Sequence, residues 1–190
     1  MESLTTIYFV RHAHSVYSTD EIGRSLSEKG FADAKRVALK METETVDIVV
    51  SSPYKRAIQT VEGIAAYFQV EIEVIEELKE RVLSSGEVRD FDTAIKKVWK
   101  DESFAWDGGE SNIVAQKRGI RALFYLLKQY KNKNIVIGTH GNIMVLMMNY
   151  FSKEYDFRFW KNLDMPDIYK LTFSGNQLQE VHRLWGDNLG

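Results

Sequence analysis

Two short apolar runs near the amino terminus predict buried strands. They are TIYFV, residues 6 to 10, and VDIVVS, residues 46 to 51. Both are rich in β-branched and aromatic residues and neither alternates with polar positions, which is typical of parallel strands covered on both faces. A further strand is predicted in NIVIGT from residue 134, and alternation predicts another over residues 70 to 78.

Segments with helical spacing follow these strands. The segment LSEKGFADAKRVALKMET offers Ser27 as an N-cap ahead of an apolar stripe that includes Phe31. After the second strand, Ser52 and Pro53 stand where an N-cap and a first helical residue belong. Residues 111 to 130 place five apolar side chains on one helical face: Ile113, Ile120, Leu123, Phe124 and Leu127.

The order of these elements predicts the fold class. Strand and helix alternate through most of the chain, and IYKLTF and QLQEVHRL flank SGNQ as a terminal hairpin would. We therefore expect an α/β protein, a three-layer α/β/α sandwich around a mostly parallel central sheet. With 190 residues and no internal repeat or linker, residues 1–190 are expected to form one domain.

Chemically versatile residues follow three of the predicted strands. Arg11 and His12 follow the first, Ser51 and Ser52 with Arg56 follow the second, and His140 with Gly141 follow NIVIGT. Because ligands bind beyond the carboxyl ends of parallel strands, these residues should converge. Guanidinium groups, imidazoles and free amides at helix starts together favour a site for a phosphoryl group.

Composition excludes several other functions. A formal charge of -2 gives no electrostatic footprint for nucleic acid or an anionic membrane. The absence of cysteine excludes disulfides, thiolate metal sites and a cysteine nucleophile. The apolar run IMVLMMNYF, residues 143 to 151, is too short to span a bilayer. Since MESLTTIYFV lacks the pattern of a secretory signal, a cytoplasmic location is expected.

Several motifs carry a family resemblance. RHAHS, residues 11 to 15, resembles the RHG signature of the histidine phosphatase superfamily, to which the cofactor-dependent phosphoglycerate mutases belong. LSEKG, SSPYKRAIQT, ELKE, GGES and THGN resemble further landmarks of that family and occur in its order. The resemblance implies the phosphoglycerate mutase-like form of the sandwich.

The resemblance also implies a covalent mechanism. In it, neutral His12 attacks phosphorus and forms a phosphohistidine intermediate. An imidazole suits this role because its ordinary pKa near about 6.5 leaves a neutral fraction at neutral pH. The residues that match the phosphate clamp are Arg11, Arg56 and His140, with further donors expected in the Ser15 hydroxyl and the Gly141 amide.

Glu80 in ELKER matches the family's general acid, which protonates the leaving alcohol and then deprotonates the attacking water. The residues leave an alternative open, in which Glu80 ends a strand and Glu77 or Glu76 is the acid. His12, Glu80 and His140 are thus the candidate catalytic residues. The scheme requires no metal and no cofactor, and no ligand spacing in the sequence argues for a metal.

Three positions depart from the family pattern. Ala13 replaces the signature glycine, so the loop tolerates it only if that backbone is not in a glycine-only conformation. His14 stands where many members carry glutamate, and Ser18 where the mutases carry asparagine. His14 either adds a cation at the pocket mouth that favours acidic substrates or is an exposed histidine without a role. His182 has no motif support and is expected to be structural.

Residues at about 81–108 lie where the family places its substrate-covering insertion. Phe91, Ile95, Val98 and Trp99 predict a short helix there. Besides His14 and Ser18, the possible pocket residues are Arg81, next to the acid, and Trp106. Trp106 and Phe104 either line a lid or anchor it.

The short insertion favours hydrolysis of a small phosphomonoester, because it lacks the longer cover that would exclude water. The alternatives are a cofactor-dependent phosphoglycerate mutase and a catalytically silent phospho-ligand binding module. The physiological substrate and the oligomeric state stay open at this point.

Overall fold

The computed structural model describes residues 3–186. The chain alternates strands and helices in the predicted manner. The elements are β1 (Leu4–Arg11), α1 (Glu28–Met41), β2 (Ile48–Ser51), α2 (Lys55–Phe68), β3 (Ile72–Val74), a 3₁₀ turn (Glu76–Leu78), α3 (Phe91–Lys100), α4 (Asn112–Gln129), β4 (Asn134–Thr139), α5 (Gly141–Phe151), α6 (Phe157–Lys161), β5 (Asp167–Ser174) and β6 (Gln177–Arg183).

The strands form one six-stranded sheet in the order β3-β2-β4-β1-β5-β6. The first four strands of that order pair in parallel, while β5 is antiparallel to both β1 and β6. The α/β fold with a mostly parallel sheet is therefore confirmed, and so is the terminal hairpin formed by β5 and β6. In the register, Arg11 lies opposite Thr139 and Ser51 lies opposite Gly138, so β1, β2 and β4 end at the same edge.

Helices cover both faces of this sheet. Ile7 and Phe9 of β1 point into a core shared with α4 and α5, whereas Tyr8 and Val10 point into a core shared with α1 and α2. All four side chains are at most 1% exposed. Burial on both faces explains why the sequence of this strand shows no polar alternation.

Four local predictions were wrong. The strand predicted over residues 70 to 78 spans only Ile72–Val74, because the chain then turns so that Leu78 enters the core. Helix α2 begins at Lys55 with Tyr54 as its N-cap, and not at Ser52 and Pro53.

The two remaining errors concern apolar stripes. Phe31 is 43% exposed, since the buried face of α1 runs through Gly30, Ala34 and Val37. Ile113 is 36% exposed, since the buried face of α4 begins with Asn112, Ala115 and Gly119. No helix within residues 3–186 is long and apolar enough to cross a membrane.

Candidate active site

A cleft of about 680 Å³ opens at the carboxyl ends of β1, β2 and β4. It contains most of the charged residues that the motifs single out. Its lining residues are Arg11, His12, His14, Ser15, Glu21, Arg24, Tyr54, Arg56, Glu80, Arg81, Val82, Leu83, Ser84, Gly86, Val88, Phe91, Ile95, Gly141, Asn142, Trp160 and Met165. A larger groove of about 920 Å³ lies beside β6, but arginine and histidine are missing from its lining.

His12 directly follows β1 and is buried, with 6% of its surface exposed. Its Nδ1 lies 2.8 Å from the carbonyl oxygen of Ala13, and since a carbonyl only accepts, Nδ1 carries the proton. The lone pair is therefore on Nε2, which lies 3.4 Å from Nε of Arg56. Burial, with the nearby Arg56 and Arg11 adding to it, lowers the pKa of His12 to about 3. The ring is thus neutral and presents a nucleophilic nitrogen.

His140 packs behind His12 and is fully buried. The two rings meet edge to face with centroids 5.1 Å apart. Nε2 of His140 lies 2.7 Å from Oγ of Ser52, whereas Nδ1 has no hydrogen-bond partner among the described residues. Burial lowers the pKa of His140 well below its ordinary value, and the proximity of His12 and Arg56 adds to this. The unliganded site therefore holds two neutral imidazoles.

Arg11 is held at the cleft by backbone groups. Its Nη1 donates to the carbonyl oxygens of Asp164, at 3.0 Å, and Leu163, at 3.4 Å. Its guanidinium lies against Gly141, where an added Cβ would come within 3.0 Å of Nε. The Nε atom is buried without a partner among the described residues. Arg11 therefore keeps hydrogen-bonding capacity for a ligand.

Glu80 joins the cleft to the N-terminus of α5. One carboxylate oxygen accepts from the amides of Ile143, at 2.9 Å, and Arg81, at 2.8 Å, and the other accepts from Asn142 at 3.0 Å. A carboxylate is well placed there, because the first amides of a helix have no partner within the helix and carry positive partial charge. Glu76 and Glu77 are exposed and do not line the cleft, so the geometry favours Glu80 over them as the acid.

The loop after His12 is fixed from α2. The buried amide of Ala13 donates to Oγ1 of Thr60 at 3.0 Å, and the amide of Leu26 donates to Oε1 of Gln59 at 2.8 Å. Ala13 is not in a left-handed conformation, so alanine fits where the signature has glycine.

The model of the histidine phosphatase superfamily (branch 1) matches residues 7–186. The chain belongs to that superfamily. This confirms the resemblance seen in the motifs and the expectation of a phosphatase.

Named relatives of this histidine phosphatase agree with that placement. A protein of Hydrogenobacter thermophilus, provisionally named phosphoserine phosphatase 2, is 29% identical over 152 residues, which cover 73% of this chain and 74% of that protein.

Two solved structures share the fold of the phosphatase. A mutant phosphoserine phosphatase of Entamoeba histolytica in complex with phosphoserine superposes with a TM-score of 0.77 at 23% identity, covering 95% of this chain and 98% of that one. The mycobacterial glucosyl-3-phosphoglycerate phosphatase gives a TM-score of 0.76 at 18% identity, covering 95% and 97%.

The remaining predicted pocket residues of the phosphatase differ in position. His14 and Ser15 line the cleft, and Nδ1 of His14 lies 2.7 Å from the hydroxyl of Ser27, the N-cap of α1. Ser18 does not line the cleft, because its hydroxyl accepts from the amide of Asp20 within a turn. His182 lies on β6 with an exposed side chain, away from the cleft.

The segment after Glu80 builds one wall of the cleft. Arg81 is buried there, and its guanidinium donates to the side chain of Asn112 and to the carbonyl oxygen of Glu110. Apolar side chains, among them Phe91 and Ile95 of α3, continue this wall. Trp106 lies outside the cleft, since its Nε1 donates to the carbonyl oxygen of Ala94 at 3.1 Å, so it anchors α3.

Several functional contacts were missed from the sequence. Glu21 and Arg24 line the cleft, but they lie in a loop with no periodic pattern to reveal them. Ser52 was expected at this edge of the sheet and as a helix cap, but its contact with His140 was not predicted. The contact of Thr60 with Ala13 was not predicted either, although Thr60 is the last residue of the motif SSPYKRAIQT, which could have indicated it.

The two buried imidazoles make stability depend on pH. In the unfolded chain, histidines take up protons below about pH 6.5, whereas folded His12 stays neutral down to about pH 3. Between these two pH values the unfolded state binds more protons than the folded state. The free energy of unfolding is therefore highest above about pH 6.5 and decreases as the pH falls. Each histidine contributes a slope of about 1.4 kcal/mol per pH unit.

Urea unfolding at a series of pH values from 7 to 4 measures this effect. His12→Gln should lower the slope of the unfolding free energy against pH by up to about 1.4 kcal/mol per pH unit. Equal slopes for the wild type and His12→Gln would contradict the assignment of a neutral, buried His12.

The hydrogen bond from Ala13 to Thr60 can be tested by isosteric replacement. Thr60→Val keeps the volume but leaves the buried amide of Ala13 without an acceptor, which should lower the free energy of unfolding by about 1–3 kcal/mol. Thr60→Ser keeps the hydroxyl and serves as the matched control, with the smaller loss. Chemical denaturation at pH 7 gives both values, and an unchanged free energy of unfolding for Thr60→Val would show that this hydrogen bond does not stabilise the protein.

Proposed function

We propose that this histidine phosphatase hydrolyses small phosphomonoesters with His12 as its nucleophile. The observation that carries the proposal is the state of His12. The ring is neutral, its Nδ1 proton is held by the carbonyl oxygen of Ala13, and its Nε2 lone pair faces Arg56 in a cleft lined by cations. No separate base is needed to activate such an imidazole.

The reaction has two steps in this proposal. In the first, Nε2 of His12 attacks phosphorus in line, the bond from phosphorus to the alcohol oxygen breaks, and Glu80 gives that oxygen a proton. In the second, a water molecule attacks the phosphohistidine while Glu80 takes a proton from it. Phosphate leaves, and His12 returns to the neutral form with Nδ1 still bonded to Ala13.

The hydrogen bonds of Glu80 indicate which oxygen carries the proton. Oε1 accepts from both Arg81 and Ile143, whereas Oε2 accepts only from Asn142. Each carboxylate oxygen offers about two acceptor positions, so Oε2 is the one with a position left. We assign the transferred proton to Oε2.

Arginines meet the charge that develops on the phosphoryl oxygens. Arg11 and Arg56 both line the cleft with His12. Phosphoryl transfer depends on positioning and electrostatic stabilisation, which fixed guanidinium groups supply. His140 backs the ring of His12, and its free Nδ1 is the further group we assign to the phosphoryl site.

The substrate proposal stays at the level of a class. The relatives are named for phosphoserine and glucosyl-3-phosphoglycerate, which are small phosphorylated metabolites. A cleft of about 680 Å³ with basic residues inside and apolar residues along one wall suits such a molecule. The comparisons do not favour the mutase or the silent binding module. We keep a cytoplasmic location and a single domain as parts of the proposal.

A trapped intermediate tests the nucleophile. Brief reaction with a ³²P-labelled phosphomonoester should leave acid-labile, alkali-stable label on the wild type. His12→Ala should show no label and no turnover, because the variant lacks the Nε2 atom that attacks phosphorus in this proposal. Persistent labelling of His12→Ala would assign the intermediate to another residue.

Leaving groups of different basicity test the acid. In single turnovers, which isolate the first step, Glu80→Gln should slow release of the alcohol from alkyl phosphates by about 10²–10⁴-fold and release of nitrophenolate far less, because nitrophenolate leaves without a proton. Glu76→Gln is the matched control and should leave both rates unchanged, since Glu76 is exposed outside the cleft. Equal losses for the two substrates would remove Glu80 from the acid role.

A further inference from the structure

Arg24 is a third arginine beside the proposed phosphoryl site. It lies in the loop between β1 and α1, outside the family motifs, and lines the cleft together with His12 and Arg56. Its side chain is only 20% exposed. Its Nε atom is buried and has no hydrogen-bond partner among residues 3–186. Arg24 therefore keeps a donor that can bond an acceptor brought into the cleft.

The carboxylate of Glu21 bridges Arg24 and Arg56. One oxygen lies 3.2 Å from Nη1 of Arg24, and the other lies 3.1 Å from Nη2 of Arg56. Two guanidinium groups thus share the two oxygens of one anion, as they would share the oxygens of a phosphoryl group. The side chain of Glu21 is 57% exposed, whereas that of Arg56 is 3% exposed. The anion is therefore the most exposed member of the group, whereas Arg56 is enclosed by its surroundings.

The backbone around Glu21 is held independently of its carboxylate. The carbonyl oxygen of Glu21 accepts from Nη1 of Arg56 at 2.7 Å. The next carbonyl, that of Ile22, accepts from the amide of Lys55 at 2.9 Å. Rotation of the Glu21 side chain can therefore release both arginines while the loop stays in place.

We propose that Arg24 binds the phosphoryl group together with Arg56, and that the Glu21 carboxylate occupies their donors until the phosphoryl group displaces it. This inference rests on the proposed function, because it takes the same cleft as the phosphoryl site. The exchange favours the ligand, since a phosphate carries more charge and more acceptor oxygens than a carboxylate. Glu21 also separates two cations that would otherwise repel each other in the unliganded site.

Binding of inorganic phosphate tests the proposal without turnover. Isothermal titration calorimetry should show phosphate binding up to about fivefold tighter to Glu21→Gln than to the wild type, which is the scale of one exposed ion pair. Arg24→Gln should weaken phosphate binding by about tenfold or more, the scale of a hydrogen bond to a charged group. Arg24→Lys keeps the charge but loses the forked donors of a guanidinium, so its phosphate affinity should lie between those of the wild type and Arg24→Gln.

Two control variants carry the same changes of charge outside the cleft. Glu62→Gln on α2 and Arg121→Gln on α4 replace exposed residues that do not line it. Both should bind phosphate as the wild type does. Thermal melts of all the variants check that each is folded.

Other results would contradict this inference or the proposed function. Weaker phosphate binding by Glu21→Gln would show that the carboxylate orients the arginines, and unchanged binding would show that it does not compete with phosphate, so either result overturns the displacement. An affinity of Arg24→Gln equal to that of Arg121→Gln would remove Arg24 from the site. If phosphate affinities shift as expected but the wild type hydrolyses no phosphomonoester, the proposed function fails while this inference stands.

Discussion

The parallel pairing of β1 with β4 is the constraint on which the rest of the structure depends. It places Arg11 opposite Thr139, and the ladder continues one step further, where the amide of His12 donates to the carbonyl oxygen of Thr139 at 3.0 Å. His12 and His140 therefore leave neighbouring strands at the same height. Pairing of β2 with the other side of β4 adds Ser52, whose amide donates to Gly138 at 2.9 Å. A slip in this register would separate all of these groups, because successive side chains alternate between faces.

Burial, more than any single charge, sets the electrostatic state of the site. Desolvation is the largest cause of the lowered pKa of His12 and of His140, and the arginines act in the same direction. Neutral imidazoles can thus lie beside guanidinium groups without repulsion. The acidic residues of the cleft lining are Glu21 and Glu80, and both accept hydrogen bonds from neighbouring donors. Because four arginines line the same cleft, the unliganded cleft is cationic overall.

Much of this arrangement could be predicted from sequence because it follows from short-range rules. Arg11, His12 and His140 follow apolar runs that had to be inner strands, and the ends of parallel strands meet at one edge. The position of Glu80 came from its motif, but its attachment to α5 depends on the turn that buries Leu78, which ended β3 early. Such turns are set by packing between distant segments. The local alternation of polar and apolar residues does not predict that packing.

The contacts of loops were predicted least well for the same reason. Glu21 and Arg24 reach the cleft only because Lys55 and Arg56 hold the loop carbonyls, a contact between residues more than thirty positions apart. The hydroxyl of Ser52 accepts from the nearby amide of Tyr54, as its residue type suggests, but its contact with the distant His140 leaves no local pattern in the sequence. The roles of the site residues stay predictions, although the structure brings most of them together.

The origin of the cleft walls has an evolutionary consequence. The groups to which we assign the reaction are anchored in the sheet and at the start of α5, whereas a facing wall comes from one continuous stretch, Arg81 to Ile95. Substitutions or length changes in that stretch can reshape the space for the alcohol without moving His12 or its strand. Selection can therefore change the substrate specificity of the enzyme without changing its chemistry, which gives this architecture a simple route to new substrates.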